Sequence, residues 1–247
     1  VGGGGDADAA VAGSLSLGER ARQRFPRNRR QQQLQQPCIV RFSLRASLPN
    51  VAVDLLLASP PPPPTLATAD ATMTMQINDT SLFLLNAPVT GSGGLTKSGT
   101  GSLYLYGGAS YTGDTLVQQG TLSTNGAAHT GGGNFTIDAI AGATATASLA
   151  ASSTNADVTI GATAAGLSNS AYLTGTTTQW TVQDTLPVGA AGTGRLSVQN
   201  GATLNTGTTV IGDSAGSSGQ ISLASSAPGY HTSWINHGDL IVGRDGT

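Results

Sequence analysis

The two tryptophans most constrain what this chain can fold into. Trp180 opens WTVQDTLPVGAAGT (180–193) and Trp234 opens WINHGDLIVGRDGT (234–247), and the two stretches align at an offset of 54. Leu186 falls over Leu240, Val188 over Val242 and Gly189 over Gly243. Between them, TTVIGDSAGSSGQISL (208–223) repeats the second half of the unit, as does LPVGAAGTGRLSV (186–198). A unit of roughly 20–30 residues made of short strands and Gly corners cannot bury its apolar face alone, so copies must stack. Parallel strands about 4.8 Å apart would line the inward side chains into ladders. At ~25 residues per coil, residues 94–247 predict about six coils and a rod near 30 Å long.

The same punctuation runs through residues 91–247, which hold 29 of the 35 glycines, seven aspartates and no glutamate. Short Val/Leu/Ile/Thr runs alternate with Gly, Asn, Asp and Ser. In SLYLYG (102–107), Leu103 and Leu105 point one way and Tyr104 and Tyr106 the other. TLVQQGTLST, GRLSVQNGATL, GQISL and GDLIVG share the pattern. These runs are too short and too β-branched for helices, and no helix is expected after residue 90. Residues 70–93 predict N-terminal strands or a cap, around the apolar run Leu82–Leu85.

Residues 1–69 differ in kind. GGGG, an Arg run, QQQLQQ and PPPPP are compositions that bury no core, and the zone reads as disordered or foreign to the domain beyond it. Charge divides accordingly. Eight arginines against Asp6, Asp8 and Glu19 give residues 1–45 a net +5, while Lys97, Arg195 and Arg244 against ten aspartates give the rest −7. A mildly acidic body with three basic residues displaces few phosphate counterions and is expected to be a poor nucleic-acid binder. The run RARQRFPRNRR (20–30) could meet RNA or anionic lipid, although its setting reads as a solvated arm. Residues 41–69 have the parts of a signal peptide, ending in Ala67-Thr68-Ala69 before Asp70, interrupted by Asp54 and Pro60–Pro64. Cys38 is alone, which excludes an intramolecular disulfide or a Cys-based zinc site. The chain opens on Val1 and closes on GRDGT, inside a copy of the unit, and so reads as a fragment.

GGLTKSGTGSLYLYGGASYTGDTLVQQGTLSTNG (93–126) resembles the autotransporter-associated β-strand repeat. Gly94, Leu95, Lys97, Gly99, Gly101, Leu103, Leu105, Gly107, Tyr111, Thr112, Gly113, Thr115, Val117, Gly120, Thr121 and Leu122 carry the match. The units of 180–247 are similar to a second repeat of the same large secreted proteins, with a weaker middle at 127–175. The resemblance implies an all-β fold, a right-handed parallel β-helix. It further implies the passenger domain of a type V secreted protein, on the bacterial cell surface or outer membrane, or released from it. An outer-membrane translocator barrel would then be a partner, and this chain contains none.

The chemistry-bearing motifs are few. Gly212-Asp213-Ser214-Ala215-Gly216 satisfies Gly-x-Ser-x-Gly, but a nucleophile elbow needs a helix behind it and a strand run (GQISL) comes next instead. The Ser position also holds Ala191 and Asp245 in the aligned copies, so the motif reads as a turn. His129, His231 and His237 are the only histidines. The last two, with Asp239, have the residue types of a base–orienter pair or half a metal site, without a spacing that identifies either, and read as hydrated loop residues. Asp114, Asp213 and Asp245 sit at corners, where Asp favours turns, and the calcium-binding nonapeptide is absent. No catalytic residue, cofactor site or metal site is therefore expected.

Three classes of function remain. The first is a structural or adhesive rod whose outward Thr, Ser, Asn and Tyr meet host surface proteins or glycans. The second is a β-helix enzyme acting on polysaccharide, disfavoured by the shortage of basic residues and the missing glutamate. The third is a spacer carrying a basic arm for RNA or lipid.

Overall fold

The computed structural model describes residues 41–44, 52–54, 65–67, 72–125, 128–129, 132–164, 166, 168–225 and 229–245. Residues 1–37 lie outside the described residues. Most of the low-complexity zone, with its Arg run, Cys38 and the centre of the signal-like segment, lies outside them too.

One coil shows the plan. Leu95–Ser98 runs along a first face, and Ser102–Leu105 along a second. Ala109 joins a third face through an isolated bridge, and Thr115–Val117 returns directly over Leu95–Lys97. Every strand pairing among the described residues is parallel, and none of these residues is helical. The sequence-based expectation of a parallel β-helix holds.

The second face is the most regular, an 8-stranded sheet. Its strands are Ala52–Asp54, Leu82–Leu85, Ser102–Leu105, Gly120–Thr124, Thr144–Leu149, Ser168–Thr174, Thr193–Gln199 and Ser218–Ala224. The last six belong to the repeat region, matching the six coils expected from its length. Ahead of them, Met73–Ile77, Leu82–Leu85 and Val89–Thr90 form a complete three-sided coil. The described parts of residues 1–69 extend the ladders further. Arg41–Leu44 pairs with Met73–Ile77, Ala52–Asp54 with Leu82–Leu85, and Leu66–Ala67 with Val89–Thr90.

The third face explains the tryptophan repeat. Its rung partners run Leu66, Val89, Ala109, His129, Ser153, Trp180, Leu204 and Trp234. Trp180 stacks on Leu204 and Leu204 on Trp234, so the 54-residue offset spans two coils. In Gln179–Val188 and Thr203–Ile211 the third and first faces merge into single long strands. Their pairing shifts register between Val182 and Thr185, where a β-bulge turns the corner.

The core is a bundle of ladders. On the second face Leu103, Leu122, Ala147, Ala171 and Leu196 stack in register and are buried. On the first face Val117, Ile137, Ile160 and Val188 do the same. Each buried Leu, Ile or Val contributes roughly 1.5–3 kcal/mol of transfer free energy. Because every inward side chain rests on the coil below, that gain exists only for stacked coils. The apolar-x-Val/Ile-Gly signature marks where the first face ends. Gly161, Gly189, Gly212 and Gly243 all have φ between 66° and 74°, a left-handed corner that glycine adopts without strain.

Candidate functional site

Ser214 occupies one of these corners. The N–H groups of Asp213 and Ser214 bond the carbonyls of Gly189 and Ala190, and Asp245 N–H bonds Asp213 O. This ladder stacks Ser214 between Ala191 and Asp245, as the aligned copies predict. The Ser214 N–H also lies 3.2 Å from Ser217 Oγ. A strand succeeds it at Ser218–Ala224. His231 and His237 are exposed and belong to the loop and strand end of the third face, away from this corner. Nothing in the fold aligns either with Ser214.

The corner aspartates bind backbone. Asp114 Oδ1 accepts the Asn134 N–H at 2.9 Å, and Asp157 Oδ1 accepts the Thr185 N–H at 3.0 Å. Each side chain thus caps an N–H of the next coil, which is why Asp and Asn recur just before first-face strands. Asp213 instead pairs with Arg244 at 3.2 Å, again across one coil. Among the described residues no group of three His, Cys, Asp or Glu is placed to hold a metal ion.

The chemically unusual side chains lie inside. Lys97 is fully buried in the column running Met75, Lys97, Val117, Ile137. Its Nζ donates to the carbonyls of Ser98 at 2.9 Å, Gly99 at 2.7 Å and Gln119 at 3.0 Å. Three ammonium protons meet three corner oxygens, two from its own coil and one from the next. Desolvation lowers its pKa to about 8, so the cation persists at neutral pH.

A second polar chain crosses the core. Trp180 Nε1 donates to Asn155 Oδ1 at 3.0 Å, and Ser153 Oγ donates to the same oxygen at 3.0 Å. Asn155 is oriented by its Nδ2 bond to Gly133 O. His129 Nδ1 lies 3.2 Å from Ser153 Oγ. With the Ser153 proton committed to Asn155, His129 must carry its hydrogen on Nδ1, leaving Nε2 bare in the core. Desolvation lowers its pKa to about 4, so the imidazole is neutral. Edge-to-face contacts join Tyr111, His129, Phe135 and Trp180, with centroids 5.0, 6.1 and 5.8 Å apart. A Ser–His–Asn triplet invites a catalytic reading, but all three are buried in the solenoid interior, where substrate has no access.

Sequence reasoning does not place these groups. Tyr111 stands in sequence beside the corner residues Thr112 and Gly113, yet it is fully buried and its hydroxyl pairs with Thr115. The available signal is spacing. His129, Ser153 and Trp180 are separated by about one coil length, which makes them rung neighbours.

What the solenoid displays is the outward side of its sheets. On the second face Tyr104, Ser123, Ser148, Tyr172, Ser197 and Ser222 share one register column, in which Ser123 is covered by its neighbours. Tyr106 and Tyr172 are exposed, and Tyr104 stacks on Tyr106 with centroids 6.3 Å apart. Beside the column runs Ser170, Arg195 and Gln220, with Arg195 the one charge among these outward residues.

Residues 95–123 match the family model described as passenger-associated-transport-repeat. In the structure this stretch runs from Leu95 on the first face, once around the solenoid, to Ser123 on the second. It includes Lys97 and Tyr111. No curated protein and no solved structure matches the chain. The chain therefore carries a passenger repeat of the autotransporter type, and that repeat together with the parallel β-solenoid fits an autotransporter passenger.

Proposed function

From this passenger repeat we propose that the chain belongs to a bacterial surface or extracellular protein, whose solenoid is a structural rod with an adhesive outer surface. The observation that carries the reading is the division of chemistry between inside and outside. The interior consumes the apolar residues, the buried lysine and one histidine in holding coils together. The outward columns present Tyr, Ser, Thr and Gln with little charge. Such a surface suits contacts with host proteins or glycans. An outer-membrane translocator barrel is the expected partner for export, and nucleic acid is not a partner of the repeat region.

No enzymatic activity is assigned. Ser214 supports this by standing in a corner whose neighbours are Ala191 and Asp245, and His129 by lying in the core.

Two measurements test the proposal. Fused to a translocator barrel in a bacterial host, the chain should become sensitive to protease added to intact cells; protection throughout would refute display. Purified chain should bind host matrix proteins or epithelial cells above a scrambled-sequence control. Equal retention of the two would remove the adhesive role.

A further inference from the structure

One groove breaks the regularity of the solenoid. Along Gln179–Val188 the outward residues Gln179, Thr181 and Gln183 alternate with buried Trp180 and Val182. Beyond Val182 the pairing with Thr203–Ile211 shifts, and the strand bulges. Gly207 lies against that bulge. A Cβ there would collide with the carbonyl oxygens of Gln183 and Asp184, so no side chain fits. In the next coil, His237 N–H bonds Thr206 O at 2.8 Å and Gly238 N–H bonds Gly207 O at 3.0 Å, which sets His237 beside the glycine. Asn205 pairs with Thr181 and continues the outward column. The result is an open depression of about 310 Å³, floored by Gly207, with Gln183 and His237 among its lining residues.

We propose that this groove binds a neutral saccharide, which names a ligand class for the adhesive role above and rests on that reading. The groove presents the amides of Gln179, Gln183 and Asn205, the hydroxyl of Thr181 and the His237 imidazole, whereas Val182 and Thr206 line it with backbone because their side chains are buried in the core. Amides both donate and accept, as sugar hydroxyls do. No carboxylate, ammonium or guanidinium lines the groove, so a phosphate, a carboxylate ligand or a metal ion finds no complementary charge. The lining is too polar for an apolar ligand. The volume lies at the lower end of small-molecule sites, which suits one or two sugar rings. The bulge itself fits this role, since bulges recur where a sheet must re-aim side chains beside a site. A shallow site without an aromatic platform binds weakly, with Kd in the millimolar range.

Saturation-transfer NMR on the full chain is the test, with maltotriose, cellotriose, chitotriose and N-acetyllactosamine as probes at about 1–10 mM. Gln183→Ala, Asn205→Ala and His237→Ala remove groove side chains without touching the core. Ile140→Ala, exposed just past the first-face strand Phe135–Ile137 and outside both the groove and the tyrosine column, is the control. At least one saccharide should show transfer, each groove variant should weaken it about tenfold or abolish it, and Ile140→Ala should leave it unchanged. The groove assignment is overturned if no probe binds, if the groove variants bind as wild type does, or if Ile140→Ala loses binding as they do. Cell binding measured in parallel separates the two ideas. Cell binding without saccharide binding sinks the groove and spares adhesion, whereas groove-dependent saccharide binding without cell binding does the reverse.

Discussion

Replacing Lys97 with Met tests whether the repeat's lysine is a structural cation. The substitution is sterically mild, because Met75 already fills the equivalent slot one coil earlier. It removes a donor from three corner carbonyls, at 2.7, 2.9 and 3.0 Å. Leaving a buried acceptor unpaired costs about 1–3 kcal/mol, so the three together put roughly 3–6 kcal/mol at stake, allowing for carbonyls with a second partner. The variant also escapes the desolvation of the ammonium. A pKa lowered from 10.5 to about 8 corresponds to about 3 kcal/mol in the opposite direction. The balance is a loss of up to about 3 kcal/mol at pH 7. Urea unfolding of the full chain, monitored by far-UV circular dichroism, should show a midpoint lower by up to about 1.5 M at unchanged m.

The pH dependence sharpens the test. The folded-state pKa of Lys97 lies below its unfolded value, so between pH 8 and 10.5 the unfolded chain holds the extra proton. Wild-type stability relative to Lys97→Met should therefore rise across that window, by up to about 3 kcal/mol. The comparison with the variant cancels the tyrosines, among them Tyr111, whose burial raises its pKa well above the usual range. A Met variant as stable as wild type at pH 7, with no pH-dependent difference, would refute the reasoning: the carbonyls would not depend on the amine.

Two further outcomes are expected on the same structural grounds. His129 titrates at about 4 when folded against 6.5 when unfolded, so acidification from pH 6.5 to 4 should cost about 3 kcal/mol; His129→Phe should flatten that slope, and a wild-type slope in the variant would assign it elsewhere. Gly189→Ala faces both a φ of 71° and the Ser218 carbonyl, whereas Gly216→Ala, at φ 77°, meets nothing within 4 Å. Thermal or urea unfolding should show the first destabilised by about 3 kcal/mol or more and the second by about 1, and equal losses would contradict the close packing of coils.

Much of the fold was legible because a solenoid writes its geometry into a period. The alternation in SLYLYG put Leu103 and Leu105 inside, and the recurrent Val/Ile-Gly marked the corner after the first face. The turn reading of Ser214 came from the same alignment. Less of the candidate site was legible. Lys97 stood in the sequence as one of three basic residues of the body and a matched position of the repeat; alternation with Leu95 sets it on the inward side, but the oxygens that hold an ammonium there are not local. Its partners include Gln119, 22 residues away, which becomes a neighbour only once the coil closes. His129 is the same case, since its environment is built from Tyr111, Phe135 and Ser153 on three different coils or faces.

By itself, then, the sequence determined the kind of object: short strands, glycine corners, coils of about 20–30 residues and an apolar side that only stacking can bury. Those properties repeat along the chain, and repetition can be read in one dimension. The tertiary structure alone decided which residue rests on which. It made the tryptophan repeat two coils, set Lys97 among three carbonyls, joined His129 to Trp180 through Ser153 and Asn155, and opened a groove where Gly207 meets a bulge. The physical reason is that coil lengths vary and one strand bulges. The register between coils is therefore settled by packing and hydrogen bonding across the stack, summed over all neighbours at once.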